Sequence, residues 1–313
     1  MRGIELARQF YLEFGKPMLE EQFPHLKDQI ATGLVGSGSE CFGFDDEISR
    51  DHDFEPGFCI FLPDEESVDR KTAFALERAY AKLPKEYLGI KRQTMSPVGG
   101  NRHGVIRISD FYMEKIGSPT GELSLDAWLR LPSSALAEAT NGEVFFDGLG
   151  HFTAIRESLC NMPEDICRKK LAGNLLQMAQ AGQYNYNRCL AHGETGAAQL
   201  AVGEFVKGAM EVIFLLNHTY QPYYKWSFRA MRGLKKFSEL ADTLEFLLTT
   251  ENTPTTADTK YTVIEDIASM IIGELMEQNL TEAICGDLEK HAYSVNDGIK
   301  DPYLRNLHIF SAV

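Results

Sequence analysis

The sequence predicts an α+β protein, in which strand and helix signals alternate to about residue 150 and helices alone follow. Three observations support this. Short apolar runs of strand length, bounded by Gly, Pro or Asn, occur at residues 32–35, 59–62, 104–108 and 144–146. Helical stripes precede and separate them. Beyond residue 151 the strand signals stop, and amphipathic stretches follow at 152–160, 163–181, 194–216, 237–249, 262–277 and 280–291. The shift divides the chain into an N-terminal domain over residues 1–150 and a helical bundle over 151–313.

Taken in order, Ile4, Leu6, Phe10, Tyr11 and Phe14 form a helical stripe, and a second helical piece covers residues 18–23. A strand over 32–35 runs into the doubled Gly-Ser turn of Gly36, Ser37, Gly38 and Ser39, where a helix is expected to begin. After the second strand, Asp64 is expected to open a helix with an acidic first turn that continues to Leu83. Residues 85–102 read as irregular, broken by Pro97, Gly99 and Gly100. A third strand, a short helix over 111–116 and the Asn141-Gly142 breaker lead to a fourth strand that closes on Asp147. In the helical half, Val202, Phe205, Val206, Ala209, Val212, Ile213 and Leu216 keep close to the 3.6-residue period, which predicts a central bundle helix.

Composition narrows the function classes. The 313 residues suffice for two ordinary domains. With 31 Lys plus Arg against 45 Asp plus Glu, the formal charge is −14, a poor footprint for gripping nucleic acid over a broad surface. No apolar run approaches the roughly 20 residues that span a bilayer, and the N-terminus lacks a signal-peptide pattern, so a cytoplasmic protein without a membrane partner is expected. The 6 cysteines form no C-x-x-C pair and have no His at zinc spacing, so they are expected to be reduced and mostly buried.

Residues 32–63 carry the chemistry. Glycines let backbone N–H groups approach phosphate oxygens, and a helix starting near Ser39 would aim its positive end at them. Asp51 and Asp53 are two apart, so in an extended segment both side chains fall on one face and can share Mg²⁺ (or Mn²⁺). A divalent ion also relieves the repulsion between the two carboxylates and a triphosphate. The plainer alternative for residues 36–39 is a tight turn with a helix cap. The run Asp45, Asp46, Glu47 reads as a solvated loop, and His52, His103 and His151 are assigned no catalytic role.

VGSGSE followed by RDHDF resembles the signature of the polymerase-β-type nucleotidyltransferase superfamily, a Gly-Ser turn preceding a D-x-D pair. LVGSGSECFGFDDEISRDHDFEPGF, VFFDGLGHFTAIRESL and NHTYQPYYKW further resemble the two-domain bacterial proteins of the DUF4037 type. The resemblance implies a nucleotidyltransferase fold, a small mixed sheet flanked by helices, followed by a C-terminal all-α bundle. It implies no particular substrate; the chemistry such a site can support is that of an NTP co-substrate, with ATP favoured, bound through Gly36, Ser37, Gly38 and Ser39, with Asp51 and Asp53 as metal ligands and catalytic residues. Attack by an acceptor hydroxyl on the α-phosphorus would then release pyrophosphate.

A third carboxylate is expected at a strand end, with Asp147 preferred and Asp110 and Glu143 as rivals. The stretch NHTYQPYYKWSFR groups Tyr223, Tyr224, Lys225 and Trp226 after Pro222. One reading is an aromatic plug. In the other, Lys225 reaches the triphosphate or pyrophosphate, with Tyr223 or Tyr224 near the base or acceptor. Tyr184, Asn185, Tyr186, Asn187 and Arg188 form a second polar cluster that could line a cleft. Three functions fit: transfer of a nucleoside monophosphate, AMP favoured, to a small-molecule hydroxyl, since the two-domain plan resembles that of the aminoglycoside and lincosamide nucleotidyltransferases; transfer to a protein side chain or tRNA end; or a regulatory nucleotide-binding module without turnover.

Overall fold

The structure, a computed structural model, describes residues 1–48, 54–92 and 102–313. The chain forms two compact units. The first contains residues Met1–Leu123 and Ala135–Asn161, the second Ser124–Ser134 and Met162–Val313.

In the first unit, helix α1 (Gly3–Phe10) runs through a π turn at Tyr11–Gly15 into α2 (Lys16–Gln22). Strands β1 (Ala31–Leu34) and β2 (Cys59–Leu62) come next, both buried throughout, as expected for central strands. Helix α3 spans Arg70–Ala81. It starts later than the sequence suggests, because Asp64 closes a local turn by accepting from the Ser67 amide at 2.8 Å. Asp69 instead caps the helix, accepting from the Thr72 amide at 2.7 Å. The segment expected to be irregular contains a hairpin, β3 (Glu86–Tyr87) with β4 (Ile90–Lys91). Its two-residue turn has positive φ at both Leu88 (51°) and Gly89 (79°), and a leucine in that conformation gives no sequence signal.

Strand β5 (Gly104–Arg107) leads directly into α4 (Ile108–Ile116). Two helices that periodicity did not suggest come after it, α5 (Leu125–Arg130), which belongs to the second unit, and α6 (Ser133–Thr140). The first unit closes with β6 (Glu143–Asp147) and α7 (His151–Cys160). The sheet order is β5-β2-β1-β6. Strand β1 is antiparallel to both β2 and β6, while β2 and β5 are parallel, so the sheet is small and mixed. Side-chain alternation builds a layer on each face. Phe58, Ile60 and Leu62 pack with Phe10, Tyr11, Leu76 and Tyr80. On the opposite face Phe61 stacks on Phe152, with ring centroids 4.1 Å apart, and meets Phe111 edge-on.

The second unit is helical: α8 (Glu164–Met178), a π segment (Ala179–Asn185), α9 (Tyr186–Ala191), α10 (Thr195–Leu216), α11 (Tyr224–Met231), α12 (Leu240–Thr249), α13 (Pro254–Glu277), α14 (Leu288–Asp297) and α15 (Pro302–Asn306). Helix α10 is the central one, and its periodic residues Val202, Phe205, Val206, Ala209, Val212 and Ile213 are all buried. The last expected helix, over 280–291, is displaced to α14. Asn279, at φ 55°, ends α13, and the Asp287 carboxylate starts α14. Buried His291 ties the intervening loop to α14 through Thr281 Oγ1 and the Cys285 carbonyl, each at 2.9 Å.

Three lysines are buried in this unit. Lys169 donates to Asn296 Oδ1 and the Leu307 carbonyl, and Lys170 to the Leu129 and Leu131 carbonyls. Lys260 donates to Gln199 Oε1, the Thr250 carbonyl and Asn252 Oδ1. Burial lowers the pKa of all three. Among the described residues, no helix is long and apolar enough to cross a membrane.

Candidate functional site

Strand register decides which residues share an end of the sheet. Gly33 pairs with Cys59, and Cys59 with Gly104, while Leu34 pairs with Glu143. The Gly-Ser turn leaving β1, the segment approaching β2, His103 before β5 and Asn141 before β6 are therefore at the same end.

The turn is built for a close backbone approach. Gly36 and Gly38 have φ of 101° and 125°, values that L side chains rarely adopt. A Cβ on Gly38 would also strike the Glu40 carboxylate. Asn141 clasps Gly36 from both sides, its Oδ1 accepting from the Gly36 amide and its Nδ2 donating to the Gly36 carbonyl, each at 2.7 Å. Arg156 holds that clasp in place through the Thr140 and Asn141 carbonyls, at 2.9 and 2.7 Å. Among the described residues, the amides of Ser37, Gly38 and Ser39 have no hydrogen-bond acceptor. The helix expected after Ser39 is a single 3-10 turn, Glu40–Phe42, closed by left-handed Gly43. Any anion binding here therefore relies on the turn's own amides and not on an α-helix dipole.

Among the described residues, a lysine stands beside the turn. Lys115, at the end of α4, donates to Ser37 Oγ at 2.7 Å and to Glu138 Oε2 at 3.0 Å, and Ser37 Oγ in turn donates to Glu138 Oε2 at 2.7 Å. Burial alone would lower the Lys115 pKa, but hydrogen bonds and charge from Glu138 and Glu114 raise it overall. Neither Lys115 nor Glu138 carries a local sequence signal, because they lie 78 and 101 residues beyond Ser37. Asn141 is visible in the sequence only as a chain breaker. At the same end, His103 Nδ1 lies 3.0 Å from Glu55 Oε1.

The expected ligands divide. Asp51 and Asp53, with His52, lie outside the described residues. Asp147 pairs with Ala31, at the opposite end of the sheet from the turn, about 10 Å away for strands of this length. Its Oδ2 accepts from the Thr153 amide at 2.7 Å and so caps the first turn of α7. Asp110 lies beyond β5 in α4, also at the far end, since Arg107 pairs with Leu62. Of the three candidate carboxylates, only Glu143 is at the turn's end, where it forms an ion pair with Arg8.

In the second unit, Tyr223 and Tyr224 are exposed at the start of α11, with ring centroids 4.3 Å apart, and Lys225 lies over Trp226 at 5.0 Å. The other polar cluster splits. Tyr186 is fully buried, donating to Asn252 Oδ1 at 2.9 Å, whereas Tyr184 faces outward with the Arg188 guanidinium 5.0 Å from its ring. Cys41 and Cys59 are buried, while Cys160 and Cys285 are exposed.

The protein is thus an α+β chain with a small mixed sheet and a C-terminal helical region. Residues 128–227 match the family described as domain of unknown function DUF4037. That stretch includes the VFFDGLGHFTAIRESL and NHTYQPYYKW blocks and leaves the Gly-Ser turn outside it. No curated protein and no solved structure matches the chain.

Proposed function

We propose that the first unit has a polymerase-β-type fold and that the chain is a metal-dependent nucleotidyltransferase. In this reading it moves a nucleoside monophosphate, with ATP the favoured donor, to a hydroxyl of a small-molecule acceptor and releases pyrophosphate. The observation that carries this reading is a convergence at one end of the sheet. A turn with three amides that lack acceptors among the described residues leaves β1 there, and the adjacent strand β2 begins there, with only residues 54–58 between it and Asp53.

The Ser37, Gly38 and Ser39 amides would bind phosphate oxygens, and Lys115, anchored on Ser37, would add a positive charge beside them. Asp51 and Asp53 would hold Mg²⁺ or Mn²⁺, which when bound neutralises the triphosphate and lowers the pKa of the acceptor hydroxyl. Of the acids considered as a further ligand, Glu143 fits by register, whereas Asp147 is engaged in capping α7. The acceptor hydroxyl must approach in line with the departing pyrophosphate, so the turn end of the sheet has to admit both molecules.

The test is incubation with each labelled NTP, Mg²⁺ and a panel of hydroxyl acceptors, including tRNA and protein fractions, with pyrophosphate release as the readout. Release that needs both Mg²⁺ and one class of small acceptor supports the reading. Release with tRNA or protein alone would move the acceptor class, and failure to bind any nucleotide in the presence of Mg²⁺ would overturn the proposal.

A further inference from the structure

The second unit contains a cavity of about 540 Å³ that owes nothing to the Gly-Ser turn. Its floor is the π segment Ala179–Asn185, one widened turn between α8 and α9. Such widened turns recur at functional sites because they rotate side chains out of the helical register. Here Gly182 is driven into the core, where a Cβ would strike the Phe205 and Ile264 side chains. Gln183 and Tyr184, next in the chain, line the cavity.

The walls are held by one side chain. Gln183 Nε2 donates to Glu265 Oε2 at 2.8 Å and to the Gly286 carbonyl at 2.9 Å, and Gln183 Oε1 accepts from the Leu288 amide at 2.9 Å. The π segment, α13 and the start of α14 are thereby fixed around a preformed space. Two phenol rings, Tyr184 and Tyr261, and three carboxylates, Glu265, Asp287 and Glu289, face it. Among the described residues, none of these carboxylates has a basic side chain within ion-pair distance. The lining residues therefore offer acceptors and aromatic faces and include no basic side chain, although the Arg188 guanidinium lies 5.0 Å from the Tyr184 ring at the exposed rim.

The spread of the carboxylates selects the shape of the guest. Among the described residues, no three His, Cys, Asp or Glu converge closely enough to hold a metal ion. A point charge would therefore not meet all three carboxylates at once. An elongated cation with ammonium groups separated by methylenes can meet several, while the two phenol rings cover the methylenes. We propose that this cavity is a binding site for an aliphatic polyamine, a ligand function separate from the nucleotide chemistry proposed for the first unit.

The test is calorimetric titration of the full chain with spermidine at about 150 mM salt, where long-range attraction to a chain of net charge −14 is largely screened. One saturable site is expected. Glu265→Gln should weaken it at least tenfold and Tyr184→Ala several-fold, with Mg²⁺ at the same concentration failing to displace the ligand. Glu289→Gln is the safeguard against misfolding, since the Glu289 side chain is exposed and holds no part of the wall together, and it too should weaken binding several-fold. Asp266→Asn removes the same charge from the neighbouring exposed position of α13 and should leave affinity within twofold. Absence of spermidine binding, equal weakening by Asp266→Asn and Glu265→Gln, or displacement by equimolar Mg²⁺ would each overturn the proposal.

Discussion

The two units bury ammonium groups in opposite ways. Lys115 in the sheet unit sits against the Glu138 carboxylate and the Ser37 hydroxyl, and its pKa is raised. Lys169, Lys170 and Lys260 in the helical unit donate only to carbonyl and amide oxygens, and burial lowers the pKa of each. A buried charge surrounded by neutral acceptors is a fastener: Lys260 joins α10, the end of α12 and the residues before α13 through one ammonium. An ammonium shared between a carboxylate and a turn hydroxyl can instead be redirected to an incoming anion, because the hydroxyl is a weak partner. Side-chain burial alone does not distinguish these two arrangements. The identity of the acceptors does.

The largest expected effect breaks the fastener. Lys260→Met takes its donor from the Thr250 carbonyl, while Asn252 Oδ1 keeps Tyr186 and Gln199 Oε1 keeps Asn252 Nδ2, and should cost about 2 kcal/mol, within the range of roughly 1–3 kcal/mol for one unsatisfied buried group. Urea unfolding followed by tryptophan fluorescence measures it cleanly, because both tryptophans, Trp128 and Trp226, belong to the helical unit. A loss below about 0.5 kcal/mol would show that neutral-acceptor burial is incidental. Lys115→Met should cost less, about 1 kcal/mol, since Glu138 is partly exposed and keeps Ser37 as a donor. It should nevertheless weaken Mg²⁺-dependent nucleotide binding about tenfold, whereas Lys260→Met should leave nucleotide affinity unchanged when the protein is folded.

Alkaline pH should separate the units. Burial raises the Cys41 thiol and the Tyr80 and Tyr112 phenols in the sheet unit, and pushes Cys59 up to about 12. A folded pKa above the unfolded one, near 8.5 for a thiol, gives stability that is complete below that value and is lost as pH climbs toward 12. The three lysines of the helical unit act the other way. Their folded pKa values are lowered, so the unfolded chain binds more protons below about 10.4 and rising pH relieves the burden. Cys167, raised to about 11 by burial, offsets part of this. Labelling of Cys59 should therefore begin at a lower pH than the change in tryptophan fluorescence, and simultaneous onset would mean that the units do not differ. The smallest effect concerns Asp147. As the cap of α7, Asp147→Asn should cost about 1 kcal/mol or less and should not abolish nucleotide binding.

Much of the fold was legible because burial leaves a periodic trace. The four strands of the sheet and the central α10 announced themselves as apolar runs of strand or helix period. The hidden parts depended on contacts distant in sequence or on a single backbone angle. The β3–β4 hairpin turns on Leu88, and α14 begins late because Asn279 ends α13 and Asp287 supplies the new helix cap. The site was half legible. Glycines at 36 and 38 marked a turn that needs positive φ, and the structure has that turn at the sheet end where β2 begins, while Asp51 and Asp53 lie outside the described residues. Lys115, Glu138 and the Asn141 clasp could not be read, since nothing local distinguishes them from surface residues until the chain folds. Preference for Asp147 over Glu143 rested on strand ends in general, and the register of β6 against β1 puts Glu143, not Asp147, at the end where the Gly-Ser turn leaves β1.

The central assignment, that the Gly-Ser turn and the D-x-D pair together hold a metal-bound triphosphate, is tested most directly by titrating ATP into wild-type protein and into Asp51→Asn and Asp53→Asn variants, with and without Mg²⁺. Saturable binding that requires Mg²⁺ in the wild type and falls at least a hundredfold in both variants, with unfolding curves unchanged, is the expected result. Identical titration curves for all three proteins, or wild-type binding indifferent to Mg²⁺, would contradict it.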